Sequence, residues 1–409
     1  MKYDAIIIIG GGAAGLMAAV TAAGIGKKVL LFEKNSILGK KLLITGKGRC
    51  NVTNNCSVDE LIKNIPSNPR FLYSAFSQFN SEDTMRFFEN SGVPLKTERG
   101  NRVFPESDKS SDIVNALVKT AKDYGVEIIN RNVSALIISD NKIVGVESTR
   151  ERFLSDSVLI ATGGKSYHST GSTGDGYIFA KSAGHTIVPL KPSLVPIVTK
   201  EKYPSEMMGL SLKNVTLSVV DKNTGKKIFS EMGEMLFTHF GVSGPIVLSA
   251  SSRIRTDEPE RYIFYIDMKP ALSEEKLDLR LQKDFSENIN KDFINSLSKI
   301  LPSKMIPVFV RLSGIPMDVK VNQITREQRK NIVHLMKNIP FTMKSFRPLD
   351  EAIITSGGVS TDEINPKTME SKLVKGLYFA GEVIDVDAYT GGFNLQIAFS
   401  TGYVAGMNM

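Results

Sequence analysis

Three glycines, Gly10, Gly12 and Gly15, stand between a β-branched run, Ile6 to Ile9, and a stretch rich in small residues that includes Ala13, Ala14, Ala18 and Ala19. That spacing suits a pyrophosphate. The first glycine permits a tight turn, the second lets phosphate oxygens approach the backbone, and the third lets helix and strand pack closely. Unpaired N–H groups at the positive end of the helix then hold the negative charge. A second apolar run, Val29 to Phe32, ends at Glu33, whose carboxylate can accept from ribose hydroxyls. An acid there, rather than an arginine, disfavours a 2′-phosphate. The chemistry these residues can do is dinucleotide binding.

Two further segments end in small residues. Ser157 to Ile160 runs into Ala161-Thr162-Gly163-Gly164, and Leu377-Tyr378-Phe379 runs into Ala380-Gly381-Glu382. The latter continues through Asp385 and Asp387 to Gly391-Gly392, Asn394, Leu395 and Gln396 at the start of an expected helix. A glycine turn at a helix N-terminus can bring N–H groups against a flavin ring and stabilise negative charge on its reduced form. Three glycine-ended strands, far apart in sequence, converge on one large cofactor, which suits FAD better than NAD. No second Gly-x-Gly-x-x-Gly and no Cys-x-x-Cys occurs, which argues against a pyridine-nucleotide disulfide reductase. NADH or NADPH remains possible as a transient reductant at the flavin face, which needs no Rossmann domain of its own.

The elements that must position these residues begin with a βαβ unit opening at residue 3. From about 56 to 125, apolar residues such as Leu61, Ile65, Phe71, Phe76 and Phe88 recur at helical spacing and predict helices whose aromatics form core. Val126 to Glu147 alternates as a hairpin turning at Asp140-Asn141-Lys142, and Val215 to Phe229 forms another around Asn223-Thr224-Gly225. Residues 272 to 337 read as polar and helical. The simplest organisation is a discontinuous Rossmann-like α/β FAD-binding domain, 1–189 and 348–409, carrying an inserted mixed β plus helical domain, 190–347.

Composition bounds the rest. Fifty-one basic against 43 acidic residues give +8 over 409 residues, and 42% hydrophobic residues can bury a sizeable core. The basic residues are dispersed, so neither stable nucleic-acid binding nor a membrane partner is expected. Ala5 to Gly26 lacks charge, yet its triple glycine and small residues suit a strand–turn–helix better than a membrane span. The two cysteines, Cys50 and Cys56, fit a reducing compartment, and cytoplasmic localisation is expected. The four histidines, His168, His185, His239 and His334, lie far apart in sequence, so no metal site is expected.

The block Gly39 to Asn54, with Gly46-Lys47-Gly48-Arg49-Cys50-Asn51 at its centre, resembles the signature of bacterial flavoproteins of the aminoacetone oxidase-like and dehydro-bile-acid reductase-like family. These lie within the two-dinucleotide-binding, glutathione-reductase-type flavoproteins. The resemblance continues through Thr170 to Tyr177, Phe237 to Pro245, Thr355 to Val359, Thr368 to Lys372 and the final Gly-Gly-Phe-Asn-Leu-Gln, and so spans the chain. It departs at His168, where a proline is expected. The resemblance implies that Arg49, Cys50 and Asn51 lie close to the flavin, and that His239 stands where substrate enters.

The full cofactor-binding set is then Gly10, Gly12, Ala13, Ala14, Gly15, Glu33, Lys34, Lys41, Gly46, Arg49, Cys50, Asn51, Val133, Ala161, Thr162, Gly163, Thr173, Asp175, Gly381, Glu382, Asp385, Gly391, Gly392, Asn394 and Leu395. Arg49 is a candidate charge partner for the pyrophosphate or an anionic substrate. The catalytic candidates are His239 as a proton donor or acceptor, Cys50 as a redox thiol and Tyr167 as a proton donor. Read together, these residues predict an FAD-dependent oxidoreductase of a small or hydrophobic organic molecule. The flavin is reduced by NAD(P)H or by the substrate itself, and the oligomeric state is open. The rival readings are a flavin-dependent RNA-modifying protein and a non-enzymatic flavin-binding sensor or electron carrier.

Overall fold

The computed structural model describes residues 5–149, 151–254 and 258–409. Residues 3 and 4, where the βαβ unit is expected to open, lie outside them. Two compact units divide the chain: Met1–Ser193 with Pro348–Met409, and Leu194–Arg347.

The first unit is built on a five-stranded parallel sheet. Strand β1 (Ala5–Ile9) lies at its centre, with β2 (Lys28–Phe32) and then Glu127–Ile129 on one side, Val158–Ile160 and then Leu377–Phe379 on the other. All five residues of β1 are buried, as a strand covered on both faces requires. Ile9 pairs with Phe32 and Ile160, and Ile160 with Phe379, so Gly10, Glu33, Ala161 and Ala380 begin one common carboxyl edge. Helix α1 (Ala13–Gly24) follows β1 directly, and its small residues let the helix Phe393–Asn408 pack closely along it. A β-carbon on Gly15 would fall 1.8 Å from the Gly10 carbonyl oxygen, so only glycine allows this turn to close.

The expected hairpin is present as Ala135–Ser139 and Lys142–Ser148, extended by Glu151–Leu154. The expectation of helices throughout 56–125 is corrected in part. Helices form at Val58–Lys63, Tyr73–Gln78, Ser81–Asn90 and Ser110–Asp123, but Leu95–Glu98 and Arg102–Pro105 make an antiparallel pair that also binds Thr53–Asn54. Only a short stretch separates them, and the turn at Gly100-Asn101, both with positive φ, folds it back as a hairpin.

The second unit is a closed six-stranded barrel. Its strands are Ile197–Thr199, Gly241–Ser243, Lys227–Thr238, Ser211–Asp221, Tyr262–Asp267 and Ile339–Phe346, and the last pairs with the first. Phe264 and Phe341 stack inside it with ring centroids 4.8 Å apart. Helices Glu274–Ser286, Ile306–Ser313 and Arg326–Lys337 fall between two of its strands and share its core. No helix of the described residues is long and apolar enough to cross a membrane.

Candidate functional site: a dinucleotide cradle on the carboxyl edge of the parallel sheet

In an open parallel sheet, ligands bind outside the carboxyl ends of the strands. Here that edge carries the ends of β1, β2, Val158–Ile160 and Leu377–Phe379 together. Helix α1 begins at Gly12 with no side-chain cap and no acid in its first turn. Its first N–H groups are therefore available to an anion.

Glu33 is buried beside this turn. One carboxylate oxygen accepts from Gly11 N–H at 2.8 Å, and the other from both the backbone and side-chain nitrogens of Asn35, each at 2.8 Å. A carboxylate has about four acceptor sites, so three donors leave room for a ribose hydroxyl. Asn130 closes the adjacent loop by donating to the Glu33 carbonyl at 2.9 Å. Val133, buried, follows in the same loop. Asn130 is not legible as a site residue from the sequence, because nothing local links 130 to 33.

Across the edge, Lys34 reaches Asp175 Oδ2 at 2.7 Å and the Thr173 hydroxyl, and Thr173 donates to Asp175 at 2.8 Å. Lys41 bonds Glu382 at 2.6 Å and Ser166 at 2.8 Å, while Glu382 accepts from Thr355 N–H at 2.8 Å. Lys34, Lys41, Asp175 and Glu382 thus stand as paired charges bracing the loops of the edge. Ser166 and Thr355 complete that network, and the sequence offers no spacing that would have singled them out.

The Gly39–Asn54 segment has a left-handed backbone at Gly46, Lys47, Gly48 and Cys50. Arg49 turns away from the role of free charge partner. Its guanidinium bonds Asp108 at 2.7 Å and Glu98, and sits 4.1 Å over the Phe104 ring. The Arg49 pairing holds the Glu98 carboxyl below its usual range, hydrogen bonds from Lys96 and then Arg49 do the same for Asp108, and the two carboxylates raise the arginine. Cys50 is fully buried, and burial pushes its thiol up to about 12. Burial disfavours the thiolate, which is the reactive form of a cysteine.

Two of the buried oxygens without a hydrogen-bond partner among the described residues belong to segments of this cradle: Asn51 Oδ1 and Thr162 Oγ1. Thr162 lies between Ala161 and Gly163 on the sheet edge, and Asn51 follows the glycine-rich segment. Buried polar atoms left bare in this way ask for a ligand. The helix Phe393–Asn408 begins at Gly392 with positive φ, no side-chain cap and no acid in its first turn. Its first-turn N–H groups at Phe393, Asn394 and Leu395 have no intrahelical acceptor. A β-carbon on Gly392 would lie 2.3 Å from the Thr53 carbonyl oxygen, so the turn packs directly on the segment that carries Asn51. The Asn394 side chain instead clamps the backbone of Ala388, donating at 2.8 Å and accepting at 2.9 Å. Asp385 accepts from Asn68 at 2.9 Å, and Gly381 N–H is taken by Thr401 at 2.9 Å. An uncapped helix start, a buried carboxylate with acceptor capacity left, two bare buried oxygens and a second uncapped helix start together fit FAD.

Tyr167 is half-buried with positive φ, and the neighbouring His168 is exposed. His239 belongs to the second unit. It is exposed on the turn joining Lys227–Thr238 to Gly241–Ser243, edge-on to Phe240 at 4.9 Å. The Arg347 guanidinium lies 4.6 Å over the same phenyl ring. Among the described residues no cluster of three or more His, Cys, Asp or Glu could hold a metal ion.

Sheet and cradle define a Rossmann-type flavoprotein. The chain matches the family described as HI0933-like protein Rossmann domain over residues 4–408. It is 32% identical to a 3-dehydro-bile acid delta(4,6)-reductase of Clostridium scindens, covering 98% of this chain and 97% of that protein. It is also 32% identical to a ribosomal RNA dihydrouridine synthase of Haemophilus influenzae, covering 100% and 99%. Among solved structures, the 3-ketosteroid delta1-dehydrogenase from Sterolibacterium denitrificans shares its fold with a TM-score of 0.51 and 13% identity, each chain covered to 99%. E. coli quinol fumarate reductase aligns with a TM-score of 0.52 and 18% identity, over 99% of this chain and 70% of that one. The chain belongs to the HI0933-like family of FAD-binding Rossmann flavoproteins and is an FAD-dependent oxidoreductase.

Proposed function

We propose that this oxidoreductase saturates a carbon–carbon double bond conjugated to a carbonyl in a small or hydrophobic organic substrate, with NADH or NADPH as the transient reductant. The observation that carries the flavin part is the shared carboxyl edge, where the ends of β1, β2, Val158–Ile160 and Leu377–Phe379 meet. The bond is suggested by the two full-length relatives. A delta(4,6)-reductase of a 3-dehydro bile acid and a synthase of dihydrouridine are both named for the saturation of a double bond conjugated to a carbonyl.

FAD bound here would supply the hydride chemistry between NAD(P)H and the substrate carbon. In this reading the first turn of α1 holds the pyrophosphate and Glu33 the ribose, while Asn51 and Thr162 satisfy their bare oxygens on the cofactor. The uncapped N-terminus of Phe393–Asn408 stabilises the negative charge of the reduced ring. Saturation takes a hydride at the carbon β to the carbonyl and a proton at the α carbon. Tyr167, half-buried in the unit that carries the cradle, is the residue we assign to proton donation.

The test is anaerobic absorbance of the FAD-loaded protein. Addition of NADH or NADPH bleaches the flavin band, and a steroid dienone then restores it with formation of the saturated product. A flavin that ignores both nicotinamides, or that is reduced by amines and reoxidised only by oxygen, overturns the proposal. A second reading places the double bond in ribosomal RNA. It is favoured by the +8 charge and by the equal identity to the dihydrouridine synthase. It predicts RNA-dependent reoxidation and RNA binding that falls steeply with salt.

A further inference from the structure

The Gln396 side chain ties the N-terminus of Phe393–Asn408 to the segment carrying Asn51, and it is completely buried. Its carbonyl oxygen accepts from the Thr53 hydroxyl at 2.6 Å and from the Thr84 hydroxyl at 2.9 Å. Its amide nitrogen donates to Ser400 Oγ at 2.9 Å and to the Phe79 carbonyl at 3.3 Å, and Ser400 donates to that same carbonyl at 2.6 Å. Thr53, Thr84 and Ser400 are all completely buried as well. Every hydrogen-bonding position of the amide is therefore used, in a place where water cannot substitute. A polar network that is closed in this way fixes one geometry, and a half-broken one is worse than none.

The network has a consequence for the cradle. Gln396 lies one turn into the helix, so its anchor sets how far the free N–H groups of Phe393, Asn394 and Leu395 stand from Asn51, two residues before Thr53. Asn54 makes a parallel tie on the backbone side, donating to the Gly391 carbonyl at 3.0 Å. With all four of its positions taken by protein groups, the Gln396 amide has none left for a cofactor.

We propose that Gln396 is a positioning residue for the flavin: through Thr53 and Thr84 it holds the helix start at the distance that sets FAD affinity and the midpoint potential of the bound ring. The proposal rests on the flavin reading above. Removing the amide lets the helix start and the Asn51 segment separate, and N–H dipoles that have moved away stabilise reduced flavin less.

The experiment compares wild type, Gln396→Leu and Gln396→Glu by FAD titration, anaerobic dye-coupled potentiometry and thermal unfolding of the FAD-free protein. Gln396→Leu is expected to weaken FAD binding roughly tenfold, the size of one buried unsatisfied group, and to make the midpoint potential more negative. Gln396→Glu keeps the acceptor for Thr53 and Thr84 but turns a carboxylate oxygen toward the Phe79 carbonyl in a completely buried place, and is expected to shift both at least as far as Gln396→Leu. If Gln396→Leu does not fold, Thr84→Val removes a single donor and should shift potential in the same direction by less. Variants that lose thermal stability yet keep wild-type FAD affinity and potential overturn the proposal, because a purely structural glutamine would behave that way. Wild-type protein that takes up no FAD overturns the flavin reading itself, a result distinct from the former.

Discussion

Among the uncapped, glycine-led helix starts of the described residues, those of α1 and Phe393–Asn408 are braced in opposite ways. At α1, strand, turn, helix and the Glu33 carboxylate all lie within residues 5–33, and the brace is Glu33 accepting from Gly11. At Phe393–Asn408, no sheet strand leads directly into the turn. The brace comes from Thr53, Asn54, Thr84 and Phe79, hundreds of residues away in sequence. The first turn is held by its own chain connectivity, while the second is held by buried polar contacts that exist only once the unit has folded. The first should therefore form early and tolerate distant changes, and the second should report on the packing of the whole unit.

Three substitutions sharpen or break this contrast, in order of expected effect. Gly15→Val places side-chain atoms where even a β-carbon meets the Gly10 carbonyl at 1.8 Å, a clash with backbone that no rotamer relieves. It should abolish FAD binding and cost more than the roughly 1–3 kcal/mol usual for overpacking, read by chemical denaturation. A folded, FAD-binding Gly15→Val protein would show that the β1–α1 turn is not held as described.

Gly392→Ala meets two penalties, a φ of 100 degrees and a β-carbon 2.3 Å from the Thr53 carbonyl. It should leave the fold cooperative but weaken FAD by about tenfold or more, a cost on the order of 1–3 kcal/mol, measured by fluorescence titration. Unchanged affinity would mean that the second turn has no part in binding. The smallest effect is expected for Cys50→Ala. Burial pushes the thiol up to about 12, so its removal should leave turnover within about twofold. Stability should fall by about 1 kcal/mol for the small void. A large loss of turnover at unchanged FAD content would restore Cys50 as a reacting group.

The second unit adds a different lesson. The Val215–Phe229 hairpin was legible from alternation and its Asn-Thr-Gly turn, and it appears as the long pair Ser211–Asp221 and Lys227–Thr238. Closure of six strands into a barrel was not, because it depends on Ile197–Thr199 pairing with Ile339–Phe346 across the intervening chain. The hairpin Leu95–Pro105 was not legible for a related reason. Its partner strand is Thr53–Asn54, too short to show any alternation of its own.

By itself the sequence determined the β1–α1–β2 turn, the strand ends at Ala161 and Gly381, and the residues that could face a dinucleotide. Each of these is a local pattern in which neighbouring residues decide backbone conformation. Tertiary structure alone decided which of those residues are free to act. It paired Lys41 with Glu382 and Lys34 with Asp175, enclosed Arg49 between Glu98 and Asp108, and buried Cys50, which pushes its thiol up. It also left Asn51 and Thr162 with bare oxygens and locked Gln396 among Thr53, Thr84, Phe79 and Ser400. Charge pairing and desolvation depend on distances between atoms that the chain brings together only on folding, and no spacing along the chain encodes them.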